Sequence, residues 1–210
     1  MHWRLLRHRE HSPSALERYC RTGDPSAGLT DLMTAGNGSV MHLAPVVLRF
    51  WNDRDELDRA AAEQSRTTYG AQAAVDRCQA FAAMLADAIS RKPWREIPSH
   101  TRFEGDGEIP RIIDGSWQGR SRYQIHSTGY VVPTLEAALW SMARIGRFRS
   151  AVVLAANLAD DADTVAAVAA QAAGARYGLS GIPEHWLDAV ARKDRLLESA
   201  HRLPEPVARG

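Results

Sequence analysis

Apolar residues recur at the spacing of an α-helix in long parts of the chain, and this pattern limits the possible folds more than any other feature. In GAQAAVDRCQAFAAMLADAIS, residues 70–90, one helical face carries Ala71, Val75, Cys78, Phe81, Ala82, Leu85 and Ile89. In PTLEAALWSMARIGRF, residues 133–148, one face carries Leu135, Ala138, Leu139, Met142 and Ile145. Because no segment alternates like a half-buried strand and no repeat or linker is present, the sequence predicts a single compact all-α domain of several helices.

Capping signals predict further helices. Ser12, Pro13 and Gly23 mark a short helix, as the N-cap, the first helical residue and the residue just past the end. Its predicted apolar stripe is Leu16, Tyr19 and Cys20. Residues 150–178 indicate two helices with a break near Leu158 to Asp160, and residues 182–203 indicate one or two more.

The segment from residue 92 to 132 has no sustained period and is rich in glycine, proline and charge. We expect an ordered loop with short helices, because it contains large apolar residues that need burial: Trp94, Ile97, Phe103, Ile112, Ile113 and Trp117. Residues 204–210 are predicted to form a frayed tail.

Composition excludes several classes of partner. The chain of 210 residues has a formal net charge of +1, which provides no field for binding nucleic acid or an anionic membrane. It contains no signal-peptide pattern and no apolar run near the roughly 20 residues of a membrane span. Cys20 and Cys78 stand alone and match neither a zinc-binding nor a disulfide pattern. A cytoplasmic location is the simplest interpretation.

An acidic cluster lies where the second of the two helices between residues 150 and 178 should begin. In NLADDADTVAAVAAQAAG, residues 157–174, Asp160, Asp161 and Asp163 are followed by Thr164 and then by small residues typical of a buried helix. The cluster is either a helix cap with solvated acids or a site for a hard cation such as Mg²⁺ or Mn²⁺. Asp161 and Asp163 could bind one ion only if Asp161 precedes the first full helical turn.

Four segments in the same order resemble the ADP-ribosylglycohydrolase family, of the dinitrogenase reductase-activating type. They are AGNGSVMHLAPV, SRTTYGAQAAVDRC, STGYVVPTLEAALW and NLADDADTVAAVAAQAAGARYGLSGIPEHWL. The last resembles the family's D-x-D-T metal motif with the small-residue helix and the G-x-x-x-I-P-x-x-W motif that follow it. The resemblance extends from about residue 14 to 187, and we assign residues 14–203 to the domain.

The resemblance implies an all-α hydrolase with two Mg²⁺ or Mn²⁺ ions, which cleaves the N- or O-glycosidic bond of ADP-ribosylated substrates. It implies that Asp161, Asp163 and Thr164 bind metal. Asp160 stands where the family usually has glycine, and we assign it as the N-cap. The resemblance also implies a cleft for ADP-ribose or an ADP-ribosylated protein, formed by Gly36, Asn37, Gly38, Ser39, Met41, Gly129 and Tyr130.

Other features depart from the family pattern. Residues 1–13 form an arm without a counterpart, and the family's N-terminal glutamate and T-D-D motif are absent. His42 stands in place of arginine, Tyr69 in place of histidine and Pro133 in place of a polar residue. We therefore expect an N-terminally truncated chain with no identified catalytic residue, weak metal binding and poor turnover. The alternatives are a non-catalytic ADP-ribose-binding or helical interaction module, or a fragment that needs a separate N-terminal half.

Overall fold

The computed structural model of the chain describes residues 11–94, 96–97, 112, 115–144 and 146–203. Its α-helices are α1 His11–Thr22, α2 Gly38–Met41, α3 Ala44–Phe50, α4 Arg54–Arg66, α5 Gln72–Ile89, α6 Val131–Arg144, α7 Phe148–Ala156, α8 Ala162–Tyr177, α9 Glu184–Asp188 and α10 Lys193–Arg202. Short 3-10 helices cover Leu32–Thr34, Arg122–Gln124 and Leu179–Gly181. Within these ranges, β-pairing is limited to the isolated bridges Leu29 to Tyr69 and Gly36 to Tyr130. The predicted all-α fold is confirmed.

Helix α5 lies at the centre of the domain and packs against α4, α6 and α8. Every residue of its predicted apolar face is buried except Ile89, which is half-buried at the helix end. Much of the other face is buried as well, including the charged residues Asp76, Arg77 and Asp87. Asp87 forms ion pairs with Arg54 and with Lys92. In the second pair, Lys92 Nζ lies 2.9 Å from Asp87 Oδ1. The amphipathic pattern therefore identified the helix but underestimated its burial.

Helices α6, α7 and α8 pack on one another beside α5. The predicted break lies between Ala156, the last residue of α7, and Ala162, the first residue of α8. One face of α8 is buried, and its residues are Thr164, Val165, Val168, Ala169, Ala172 and Ala173. Because most of these side chains are small, neighbouring helices can approach α8 closely. The sequence predicted one or two helices between residues 182 and 203, and the structure has two, α9 and α10.

Helix α1 ends as predicted but contacts the core differently. Gly23 has φ of +71°, and its N–H donates to the carbonyl of Tyr19 at 2.8 Å, which is a glycine C-terminal cap. The helix begins at His11, so the prediction of Ser12 as N-cap is wrong. The predicted stripe is also wrong, since Leu16 is 63% exposed and Tyr19 49% exposed. The buried apolar residue among those described in this helix is Ala15, which is 1% exposed.

The irregular segment before α6 buries its large apolar residues, as predicted for Trp94, Ile97, Ile112 and Trp117. The predictions for Phe103, Ile113 and Ile145, for residues 1–10 of the arm and for residues 204–210 of the tail lie outside the described residues. Among the described helices, none combines the length and apolar character needed to cross a membrane.

The two cysteines should differ strongly in reactivity. Cys78 is fully buried, and burial raises the pKa of its thiol to about 11, whereas Cys20 is exposed. At pH 8 this pKa gives Cys78 about 100-fold less thiolate than an ordinary cysteine, and the thiolate is the reactive form. We expect a thiol reagent to modify one cysteine per native chain and both in denaturant. Mass spectrometry should place the native label on Cys20; a label on native Cys78 would contradict this burial.

Candidate functional site

Asn37 joins three separate parts of the chain at the N-terminal ends of α6 and α8. Its side-chain amide Nδ2 donates to Asp161 Oδ2 at 2.6 Å and to Thr134 Oγ1 at 2.8 Å. Its backbone N–H donates to the carbonyl of Gly129 at 3.2 Å. Asn37 is only 8% exposed, so these hydrogen bonds form in a largely buried environment, where an unpaired partner is costly. The side chain therefore fixes residues 36–39, the GNGS loop, against the start of both helices.

Asp161 is held by its backbone and by both carboxylate oxygens. The second oxygen, Oδ1, accepts a hydrogen bond from Thr164 Oγ1 at 3.1 Å. The Asp161 N–H donates to the Ser127 carbonyl at 2.8 Å, and its carbonyl accepts the N–H of Val165 at 3.1 Å, in the first turn of α8. Asp161 therefore precedes the first full turn, which is the placement that a shared metal site requires. It occupies the N-cap position itself, although its side chain caps no backbone N–H.

Asp160 is not the N-cap, and this prediction is wrong. Asp160 has φ of +48° and Ala159 has φ of +70°, so both lie in the left-handed region that favours glycine. Ser127 Oγ donates to the Ala159 carbonyl at 2.6 Å and holds this turn in place. The turn directs Asp160 to the surface, while Asp161 takes the position at the start of α8.

Glycine should stabilise the left-handed turn. Ala159→Gly is expected to raise the free energy of unfolding by about 1 kcal/mol, because the strain of a β-carbon at positive φ exceeds the added entropy of the unfolded chain. Ala167→Gly, in the middle of α8, is the matched control and should lower the free energy of unfolding by about 1 kcal/mol. Urea denaturation of both variants measures the effect, and changes of the same sign would contradict the left-handed geometry at Ala159.

The oxygen atoms at the start of α8 suit a hard cation. Mg²⁺ binds oxygen at about 2.0 to 2.1 Å in octahedral geometry, which separates adjacent ligands by about 2.9 Å. The 3.1 Å between Asp161 Oδ1 and Thr164 Oγ1 is close to that separation. Asp163 adds an exposed carboxylate in the first turn. In the described ranges, however, no group of three or more His, Cys, Asp or Glu residues is positioned to hold a metal ion.

The predicted cleft residues lie at different depths. Gly36 pairs with Tyr130 in an antiparallel bridge, so the structure brings these two residues and Gly129 beside Asn37. Tyr130 is half-buried and Gly129 is buried. The other predicted residues belong to α2, where Gly38 is half-buried, Ser39 is fully buried and Met41 is exposed.

The two glycines of the GNGS loop accommodate the ring of Tyr69. A β-carbon added at Gly36 would lie 2.5 Å from Tyr69 Cε1. One added at Gly38 would lie 2.5 Å from Cε2 and 2.6 Å from the hydroxyl oxygen. The ring is 7% exposed and is held between the two glycines on opposite edges. The resemblance implies that these glycines line a cleft for ADP-ribose, and the neighbour that lies beside both of them in this structure is Tyr69.

Sequence comparison identifies the family. The family model described as ADP-ribosylglycohydrolase matches residues 3–209, nearly the whole chain. The chain belongs to the ADP-ribosylglycohydrolase family.

Curated relatives include an ADP-ribosylarginine hydrolase, Tri1, of Pseudomonas putida, which is 41% identical over 191 residues. The corresponding Serratia proteamaculans protein is 36% identical over 194 residues, and each alignment covers 90% of this chain. The ADP-ribosyl-[dinitrogen reductase] glycohydrolase of Rhodospirillum rubrum is 26% identical over 85% of the chain. A solved structure named as an ADP-ribosylglycohydrolase-related protein complex matches with a TM-score of 0.83, 37% identity and 95% coverage of this chain.

The family match does not support the predicted N-terminal truncation. It begins at residue 3 and so includes most of the arm, residues 1–13. The predicted partnership with a separate N-terminal half also lacks support.

The chain spans about half the length of the curated relatives that it matches, 51% of the P. putida protein and 52% of the S. proteamaculans protein. It covers 70% of the matched chain in the solved structure.

His42 lies next to Gln64. In the family pattern, arginine usually stands at the position of His42. Desolvation by the surrounding protein lowers the pKa of His42, and Gln64 Nε2 lies 2.7 Å from its Nδ1. A pKa below the usual range of histidine leaves the imidazole mainly neutral at neutral pH. His42 therefore does not replace the positive charge of an arginine at neutral pH.

Two buried residues of the candidate site were not singled out from the sequence. Thr134 is fully buried, and its Oγ1 lies 3.0 Å from the carbonyl oxygens of Thr128 and Tyr130 while accepting from Asn37. Ser127 orients both the turn at Ala159 and the backbone of Asp161. Both residues belong to STGYVVPTLEAALW, one of the four segments that carry the resemblance. Membership of that motif was the available signal, but their roles depend on contacts with distant parts of the chain.

Proposed function

We propose that this chain binds ADP-ribosylated substrates and hydrolyses the glycosidic bond between ADP-ribose and arginine. The observation that carries the proposal is the contact of Asn37 with Asp161, which joins the glycine-containing loop to the acidic motif at the start of α8. Two relatives that are 41% and 36% identical bear the name ADP-ribosylarginine hydrolase, which supports arginine as the acceptor.

The proposed metal ligands are Asp161, Asp163 and Thr164, with Mg²⁺ or Mn²⁺ as the ion. A divalent cation supplies charge stabilisation at the breaking bond and lowers the pKa of a bound water. Asn37 neutralises no charge, but its hydrogen bond to Oδ2 leaves Oδ1 of Asp161 directed to the Thr164 hydroxyl. Asn37 and Thr134 are therefore positioning residues.

The proposed substrate surface consists of the exposed edge of the site. Tyr130 provides a half-buried ring and Met41 an exposed side chain, while Gly36 and Gly129 contribute backbone. Ser39 is fully buried, so its contribution would be to hold α2 in place rather than to touch the substrate.

Metal binding should be weak and turnover low. The described residues provide two carboxylates and one hydroxyl, fewer ligands than two octahedral ions need, and water would fill the remaining positions. No group among them is assigned as general acid or base. This limited ligand set favours a second candidate function, an ADP-ribose-binding module without catalysis. The predicted cytoplasmic location stays a prediction.

Incubation of the purified chain with ADP-ribosylarginine tests the proposal. We expect slow release of ADP-ribose with Mn²⁺ or Mg²⁺ present and none with EDTA, measured by liquid chromatography. Calorimetry with free ADP-ribose provides a separate measure of binding. Binding without release would support the non-catalytic module. Absence of both at millimolar metal would contradict both candidate functions.

A further inference from the structure

A cavity lies at the opposite end of α6 and α8 from the candidate site. Its volume is about 630 Å³, within the range of about 300 to 1,000 Å³ found for small-molecule pockets. At the starts of α6 and α8, Thr134 and Asp161 both bond to Asn37. The last turns of the same two helices carry Arg144 and Arg176, and both arginines line the cavity. At 1.5 Å per residue, about 15 to 22 Å separates the two sites along these helices.

Aromatic and cationic side chains dominate the walls of this cavity. The lining includes three tryptophans, Trp94, Trp117 and Trp140, together with Arg144 and Arg176, and no described lining residue is acidic. The Arg144 guanidinium lies 5.0 Å from the centre of the Trp140 ring, and that of Arg176 lies 5.7 Å from the centre of the Trp94 ring. Stacking uses the face of a guanidinium and leaves N–H groups at its edge available for an anion.

The two arginines lack carboxylate partners within the part of the chain that the structure describes. Arg144 Nη1 donates to the carbonyl of Arg120 at 3.2 Å, while Arg120 itself pairs with Glu136. Cations in the last turn of a helix interact favourably with the helix dipole, which explains their position. The dipole does not explain why both arginines meet at one cavity lined with tryptophan.

The indole N–H groups of the three tryptophans are not available to a ligand in this cavity. The indole N–H groups of Trp117 and Trp140 donate to the carbonyls of Ile112 at 3.0 Å and Arg120 at 2.9 Å. Trp94 is only 9% exposed, and its Nε1 is buried with no hydrogen-bond partner among the described residues. Because this nitrogen is enclosed, Trp94 presents to the cavity part of its apolar ring rather than a hydrogen-bond donor.

We propose that this cavity binds a small ligand that combines a planar ring with a phosphate, as in a nucleoside monophosphate. The ring packs against the apolar part of the wall, which consists of Ala143 and the exposed edges of Trp94 and Trp117, and the phosphate dianion lies between the edges of Arg144 and Arg176, which supply two positive charges. The site is separate from the acidic cluster at Asp161, and its occupation does not depend on the proposed hydrolysis.

Titration of the full chain with adenosine monophosphate, followed by tryptophan fluorescence and calorimetry, tests this proposal. We expect saturable binding at sub-millimolar to millimolar concentration. Adenosine, which lacks the phosphate, and inorganic phosphate, which lacks the ring, should each bind at least about 10-fold more weakly.

Variants decide which site is occupied. Arg176→Met and Arg144→Met should each weaken binding about 10-fold or more, because each removes a charged donor. Arg149→Met, an exposed arginine on α7 away from the cavity, is the matched control and should have no effect. Asp161→Asn, at the other end of α8, should also leave binding unchanged. Lack of binding up to about 5 mM, no loss in Arg176→Met, or loss in Asp161→Asn would overturn the proposal.

Discussion

Gly38→Ala is expected to lower the free energy of unfolding by about 2 kcal/mol or more. The added β-carbon would lie 2.5 Å from Tyr69 Cε2, well inside van der Waals contact. The ring cannot move away freely, because Gly36 lies against its opposite edge and a β-carbon there would be 2.5 Å from Cε1. Overpacking of this kind displaces side chains or backbone and typically costs 1 to 3 kcal/mol. Urea denaturation measures the loss.

Two further variants separate steric overlap from a general effect of removing glycine. In a Tyr69→Ala background, Gly38→Ala should cost much less, because the atoms that overlap are gone; a double-mutant cycle gives the coupling free energy. Gly174→Ala, in α8, is the matched control. No atom lies within 4 Å of its added β-carbon, and alanine should stabilise the helix by up to about 1 kcal/mol. An equal cost for Gly38→Ala with and without Tyr69 would refute the steric explanation.

Asp161→Asn is expected to weaken Mn²⁺ binding by about 10-fold or more while leaving the fold intact. This prediction rests on the proposed metal site. An asparagine at position 161 can still accept a hydrogen bond from Asn37 through its carbonyl oxygen and donate to the Thr164 hydroxyl. The substitution therefore removes the charge and a metal ligand but retains the local contacts. Paramagnetic resonance of free Mn²⁺ measures affinity, and thermal denaturation checks the fold.

The neighbouring acid provides the control for charge. Asp160→Asn removes the same charge one residue away, at an exposed position on the left-handed turn, which asparagine also tolerates. Its effect on Mn²⁺ affinity should be less than about 3-fold, because only long-range attraction is lost. Equal losses in the two variants would indicate diffuse attraction by the acidic cluster rather than binding by Asp161. Unchanged affinity in both would exclude Asp161 as a ligand.

Several features of the site could be predicted because they depend on local sequence. The break before α8 follows from helical periodicity and the acidic cluster, whereas the position of Asp161 ahead of the first turn was only a condition for a shared ion and became known from the structure. The assignment of Asp160 as N-cap failed because the backbone turns left-handed at Ala159 and Asp160. Ser127, from a distant segment, bonds to the carbonyl of Ala159 in that turn. The stripe on α1 failed because periodicity shows which residues share a face but not whether that face has a neighbour.

The sequence alone determined the helical class, the main helices around α5 and α8, and the acidic motif, because these depend on periodicity and on residues close together in the chain. The tertiary structure decided the roles of Asn37, Thr134 and Tyr69. Asn37 and Thr134 are 97 residues apart and Asn37 and Asp161 are 124 residues apart, so their hydrogen bonds exist only after the helices pack. Likewise, the two glycines of the GNGS loop receive their steric role from the Tyr69 ring, which only the packed domain places between them.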